Sequence, residues 1–177
     1  LFRSHCNIVH QQFSLLIKED PALALDVADE LQQGAKDLWQ LQLNAQETQS
    51  ILDYWHLADE VFETGLSISE DVCQQISAFK QSLTKQRIGQ RGLTILNNLM
   101  PVIIHNIMSS SAKNHAELFR RILTVLHAVL GRTAYLQLLF ENQAALFHLV
   151  KLCAASPWVT QQIARFPLLL DELLNPI

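Results

Sequence analysis

The side chains in this sequence that could do chemistry mostly stand at the wrong spacing for it. His5, Cys6 and His10 offer nitrogen and sulfur to a transition metal, but His5 and His10 lie five residues apart. Two ligands on one helix face need an offset of three or four. His148 and Cys153 repeat the five-residue offset, and His105, His115 and His127 are scattered over separate faces. No two carboxylates stand two residues apart, which excludes the D-x-D type of metal site. The sequence also lacks G-x-x-x-x-G-K-[ST], G-x-G-x-x-G, C-x-x-C, H-E-x-x-H and G-x-S-x-G. Phosphate cradles, thiol redox pairs, zinc peptidase sites and nucleophile elbows therefore have no sequence support. No catalytic, cofactor-binding or metal-ligating residue is assigned.

The most informative polar stretch is "RIGQRG", in which Arg87 and Arg91 flank a turn carrying Gly89 and Gly92. Backbone amides in such a turn can face an anion. The arginines can instead pair with carboxylates across a domain contact, because a guanidinium fork suits them, or they can simply be solvated. Arg132, after Gly131, is placed to meet the free carbonyls of a helix ending there. Trp39, Trp55 and Trp158 are single aromatics at helical spacing, which suits core or interface anchors better than base-stacking platforms.

These residues are carried by helices. Phe2, Cys6, Val9, Phe13, Leu16 and Ile17 recur at steps of three and four, predicting a helix that ends near Asp20 and Pro21. It starts without a cap and without an initiator Met, so it is expected to be the tail of a longer helix. Residues 20–44 read as a linker with a possible helix, weakened by Gly34. Asn44 is expected to cap a helix through Ile51, Leu52, Trp55, Val61 and Phe62 to Gly65, and Ser69 to cap the next, with Glu70 and Asp71 at its positive end.

Leu93, Leu96, Leu99, Met100, Ile103 and Ile107 form a strong stripe, with a kink or boundary expected at Pro101. Asn114 and Glu117 have capping-box spacing ahead of Leu118, Ile122, Val125, Leu126 and Val129. The last third reads as short leucine-rich helices, with Asn142 and Ser156 as caps and Pro157 at a first helical position. Apolar residues lie on more than one face of these helices, as in helices interior to a larger assembly. The expected fold is all-α: an irregular multi-helix bundle of about eight to ten helices with no sheet.

Composition agrees. Of 177 residues, 49% are hydrophobic and 17% charged, with five glycines and five prolines, which favours long elements joined by short loops. A net charge of −4 gives no basic excess for nucleic acid. No apolar run approaches the roughly 18 residues of a membrane span. Three widely spaced cysteines argue against a disulfide scaffold and suit a reducing cytoplasm.

Two segments, "RIGQRGLTILNNLMP" and "RTAYLQLLFENQAALFHLVKLCAASPWVTQQIARFPLLLDELLNP", closely resemble the bifunctional glutamine synthetase adenylyltransferases. The run "ASPW…AR-x-PLLLDELL" is a hallmark of that family, and residues 1–18 are similar to the end of its first helical bundle. The resemblance implies a central region between two nucleotidyltransferase halves. Residues 1–19 would close the upstream bundle, 20–68 would be a variable linker with one or two helices, and 69–177 would be the connector into the second half. It further implies a parent enzyme that moves AMP from ATP to glutamine synthetase and removes it by phosphorolysis. Magnesium, glutamine and the PII protein belong to that system.

The family's Gly-Ser pair and D-x-[DE] signature are absent, so none of its catalytic residues carries over. The segment is then a non-catalytic connector, with Arg87, Gly89, Arg91, Gly92, Pro101 and Arg132 as candidate hinge or inter-domain positions. A free-standing helical adaptor, or a small helical enzyme with an unrecognised site, are the other readings. A connector ending in "FPLLLDELL" should leave Leu170, Leu173 or Leu174 under-packed or covered by another copy.

Overall fold

The computed structural model describes residues 21–57 and 65–174. Among these residues there are nine α-helices and no strand. In chain order they are α1 (Pro21–Gln40), α2 (Ala45–Leu52), α3 (Ile68–Lys85), α4 (Gln90–Met108), α5 (His115–Val129), α6 (Thr133–Glu141), α7 (Gln143–Ala155), α8 (Pro157–Arg165) and α9 (Leu169–Leu174). A short 3-10 turn, Asp53–Trp55, follows α2. The all-α expectation holds. The helix expected over residues 1–19, with His5, Cys6 and His10, lies outside the described residues.

α4 is the centre. Ile95, Leu96, Leu99, Met100, Pro101, Ile103, Ile104, Ile107 and Met108 are all buried on it. α1, α5, α6 and α7 pack against it. α5 is the second core helix, burying Leu118, Phe119, Ile122, Leu123, Val125, Leu126 and Val129 and receiving α3, α7 and α8. One continuous apolar cluster runs from Ala35 on α1 to Leu170 on α9.

Capping chemistry sets most helix starts. Asn44 accepts from the Glu47 N–H while the Glu47 carboxylate accepts from the Asn44 N–H, a complete capping box. Asn114, Asn142 and Ser156 each accept from the N–H three residues on. At Asn114 the box is half formed, because Glu117 turns its carboxylate to arginines instead.

Four local expectations are corrected or sharpened. The possible helix expected within residues 20–44 is present and longer than its pattern suggested, running for twenty residues from Pro21 to Gln40. The burial of Ala35, Leu38 and Trp39 outweighs the cost of Gly34 within it. Gly34 is itself a contact, since a Cβ there would stand 3.0 Å from Ile51 Cγ2.

The helix begun at Asn44 stops at Leu52 instead of running to Gly65. The 3-10 turn that follows closes with His56 in the left-handed region at φ 59°. His56 N–H bonds the Asp53 carbonyl, Leu57 N–H bonds the Leu52 carbonyl, and Leu57 is buried. That is a Schellman stop with a histidine where glycine is usual. The cap of α3 is Ser67, boxed with Glu70, while Ser69 lies inside the helix and is buried. Finally, of the kink or boundary expected at Pro101, the boundary is not found: α4 runs through the proline and ends at Met108.

Ser67→Ala should destabilise the protein by about 1 kcal/mol, measured by urea denaturation. The exposed Ser77→Ala on the same helix should change little, and an equal loss in both variants would argue against the cap. Burial lowers the pKa of His105 and His127 below the ordinary 6.5. The folded state therefore binds fewer protons than the unfolded chain in that range. Their contribution to stability is present above about pH 6.5 and is lost as pH falls through the lowered native values. Denaturation midpoints at pH 7.5 and 5.5 should differ less in His105→Gln/His127→Gln than in the parent.

Candidate functional site

The "RIGQRG" stretch connects α3 to α4. Gly89 is the exposed N-cap of α4, and Arg87 and Arg91 are exposed on either side of it. Gly92 is buried in the first turn, where a Cβ would meet Ile88 Cγ2 at 3.1 Å and Thr133 Oγ1 at 3.3 Å. The glycine therefore lets α4 and α6 approach closely. Arg132 is the N-cap of α6, beside that same contact. Its backbone N–H meets the free Val129 carbonyl at the end of α5, and its guanidinium lies 5.9 Å from the Tyr135 ring.

The fold thus gathers Arg91, Gly92 and the start of α6 at one corner, while Pro101 is buried mid-helix in the core. A groove of about 740 Å³ opens there, lined among others by Arg91, Thr133, Gln137, Glu141 and Asn142.

A polar seam that sequence reasoning missed crosses α3, α5 and α7. Arg120 bonds Asp71 at 3.0 Å and Glu117 at 2.6 Å. Gln75 donates both to Asp71 and to the Ala116 carbonyl, each at 2.9 Å. Arg121 donates at 2.8 Å to the Cys153 carbonyl, closing the end of α7. Glu117 and Arg121 stand four residues apart, the offset that joins side chains on one helix face, so half of this seam was readable. The link to Asp71 on another helix was not.

The third feature is apolar and exposed. Trp158 is 66% exposed, Leu168 69% and Phe166 52%, and Phe140, Phe147, Leu152 and Leu169 are also open to solvent. All lie on α6 to α9 or their joints. Leu170 is fully buried and Leu173 packs partly against the core, while the side chain of Leu174 lies outside the described residues. Of the three leucines expected to be under-packed, Leu170 is buried and Leu173 is only partly covered, and Leu168 and Leu169 just ahead of them are exposed. Trp39 and Trp55 are core anchors, hydrogen-bonded to Asn97 and Ser109, whereas Trp158 faces outward.

Among the described residues no three His, Cys, Asp or Glu side chains gather where they could hold a metal. His148 is exposed and Cys153 buried, with burial raising the thiol pKa. No described helix is long and apolar enough to cross a membrane.

No family model matches this chain. The chain is 37% identical over 171 residues, 96% of its length, to a bifunctional glutamine synthetase adenylyltransferase/adenylyl-removing enzyme from Alteromonas mediterranea. It spans about one sixth of that relative, 16% of its length. The match supports the resemblance seen in the sequence.

A test of the corner geometry is Gly92→Ala. In an open helix position this change should stabilise by about 1 kcal/mol. Here the tight contacts should cancel that gain or reverse it, and adding Thr133→Ala should restore part of it. A Gly92→Ala chain clearly more stable than the parent would show that the approach of α4 and α6 is not tight.

Proposed function

We propose that this chain, similar over nearly its whole length to a segment of a glutamine synthetase adenylyltransferase/adenylyl-removing enzyme, is a helical connector in such an enzyme. The observation that carries this reading is the 37% identity over 96% of the chain. In this proposal the segment is the central region, has no activity of its own, and positions two nucleotidyltransferase halves. Those halves would bind ATP and magnesium, transfer AMP to glutamine synthetase in the cytoplasm, remove it again, and respond to the PII protein.

Two structural features support a positioning role. The exposed aromatic and leucine side chains of α6 to α9 form the type of surface that inter-domain contacts cover. The continuous core from α1 to α9 lets the segment move as one body. Gly92 and Pro101 are enclosed by packing, whereas Gly89 sits in an exposed turn where a Cβ would meet nothing within 4 Å, which leaves that turn open to a neighbouring half. Arg91 and Arg132, at the same corner, are then contacts to a neighbouring half. A coupling of roughly 1–3 kcal/mol between the halves is the usual scale for such a device.

Phe166→Ser/Leu168→Ser in the full-length enzyme should shift the balance between AMP transfer and AMP removal several-fold, with and without PII. The activity of each half expressed separately should not change. Unchanged balance in a folded variant would contradict the positioning role. The 177-residue chain mixed with ATP, magnesium and glutamine synthetase should transfer no AMP, and transfer at an enzyme-like rate would refute the connector reading.

A further inference from the structure

A second cavity, of about 760 Å³, lies away from the "RIGQRG" corner and has no part in the positioning role. Its walls come from the end of α4, the loop 109–114, the first turns of α5 and one face of α7. The floor is apolar, with Leu118 and Val150 buried and Ala154 partly buried, and Phe147, more than half exposed, stands at the side. The polar lining is unbalanced. Lys113, Arg121 and Lys151 face one carboxylate, Glu117.

That carboxylate is already engaged, since its Oε2 accepts from Arg120 at 2.6 Å. Its Oε1 lies 3.5 Å from Arg121 Nε, too far for a good hydrogen bond, and this Nε is buried without an acceptor. With Arg121 tied to Glu117 and to the Cys153 carbonyl, the surplus positive charge open to the cavity is that of Lys113 and Lys151, in a chain whose net charge is −4. Its volume falls in the range of small-ligand pockets, about 300–1,000 Å³, where an apolar lining with a few polar groups is the usual pattern.

We propose that this cavity binds an amphipathic anion: a carboxylate carried on an apolar body, with the body over Leu118, Val150 and Phe147 and the charge toward Lys113 and Lys151. The carboxylate belongs either to a free small molecule or to an acidic side chain flanked by apolar residues in a docking segment. Occupancy would tie the 109–114 loop to α7. This inference is independent of the connector reading, because it rests on the cavity alone.

Phenylacetate titrated into the ¹⁵N-labelled 177-residue chain, followed by NMR, tests it, with benzyl alcohol as the neutral control. The expected result is saturable shifts in residues 109–121 and 147–155, and at least fivefold weaker binding of the alcohol. Lys113→Gln/Lys151→Gln changes two exposed side chains and should weaken phenylacetate at least fivefold without lowering the melting temperature. Phe147→Ala should also weaken it.

Equal affinity for the alcohol, no saturation by 20 mM, shifts centred elsewhere, or an unaffected lysine double variant would each overturn the proposal. A peptide with aspartate between leucine and phenylalanine separates the two sources. Binding tenfold tighter than phenylacetate supports a docking segment, and comparable or weaker binding supports a free carboxylate.

Discussion

The fold depends on covering α4. Nine consecutive-turn positions from Ile95 to Met108 are buried, and they point to more than one side of the helix. A helix apolar over most of its girth cannot lie on a surface, so partners are required all round. α1, α5, α6 and α7 supply them, from both ends of the described chain. Two details show how closely α4 is fitted. Gly92 omits a side chain where Thr133 comes within contact distance. Trp39 on α1 reaches across to donate to the Asn97 side chain at 3.1 Å. Pro101 carries no N–H, so it removes one rung of the helix ladder, yet it is buried among packed neighbours and the helix continues through it.

The second half of the chain meets this demand with very short helices joined at single residues. Asn142 ends α6 and caps α7, and Ser156 ends α7 and caps α8. In each case the side chain accepts the N–H of the third residue on. Helices of nine, thirteen and nine residues would be marginal in isolation. They persist because each lays an apolar stripe on α5 or α4, and because no loop entropy separates one from the next. So many leucines and aromatics in so short a zigzag cannot all face inward. The surplus is what stands exposed as Phe140, Phe147, Trp158, Phe166 and Leu168.

Features decided within a few residues were legible in the sequence. The caps at Asn44, Asn114, Asn142 and Ser156, the acidic first turn of α3 and the stripe of α4 all follow from local chemistry and period. Features decided by distant partners were not. α1 looked weak because its Gly34 cost was visible and the burial of Leu38 and Trp39 against other helices was not. The stop after Leu52 lacked its usual glycine, and only the burial of Leu57 and the Trp55 bond to Ser109 explain why the chain turns there. Ser67 and Ser69 both suit a cap by type. The choice between them was made by the reciprocal bond to Glu70, whose spacing favours Ser67 and could have been read. At the corner, sequence pointed to Arg87, Arg91 and Arg132 but not to the contact between Gly92 and Thr133 that brings two of their neighbourhoods together.

The distribution of polar chemistry argues in the same direction as the packing. The charged groups with clear partners, Asp71, Glu117, Arg120 and Arg121, tie α3, α5 and α7 together. Partly exposed ion pairs add little stability individually, but they fix relative register, and Arg121 also satisfies carbonyls at the end of α7. A segment with a continuous core, single-residue joints and ion pairs spent on register has few internal degrees of freedom.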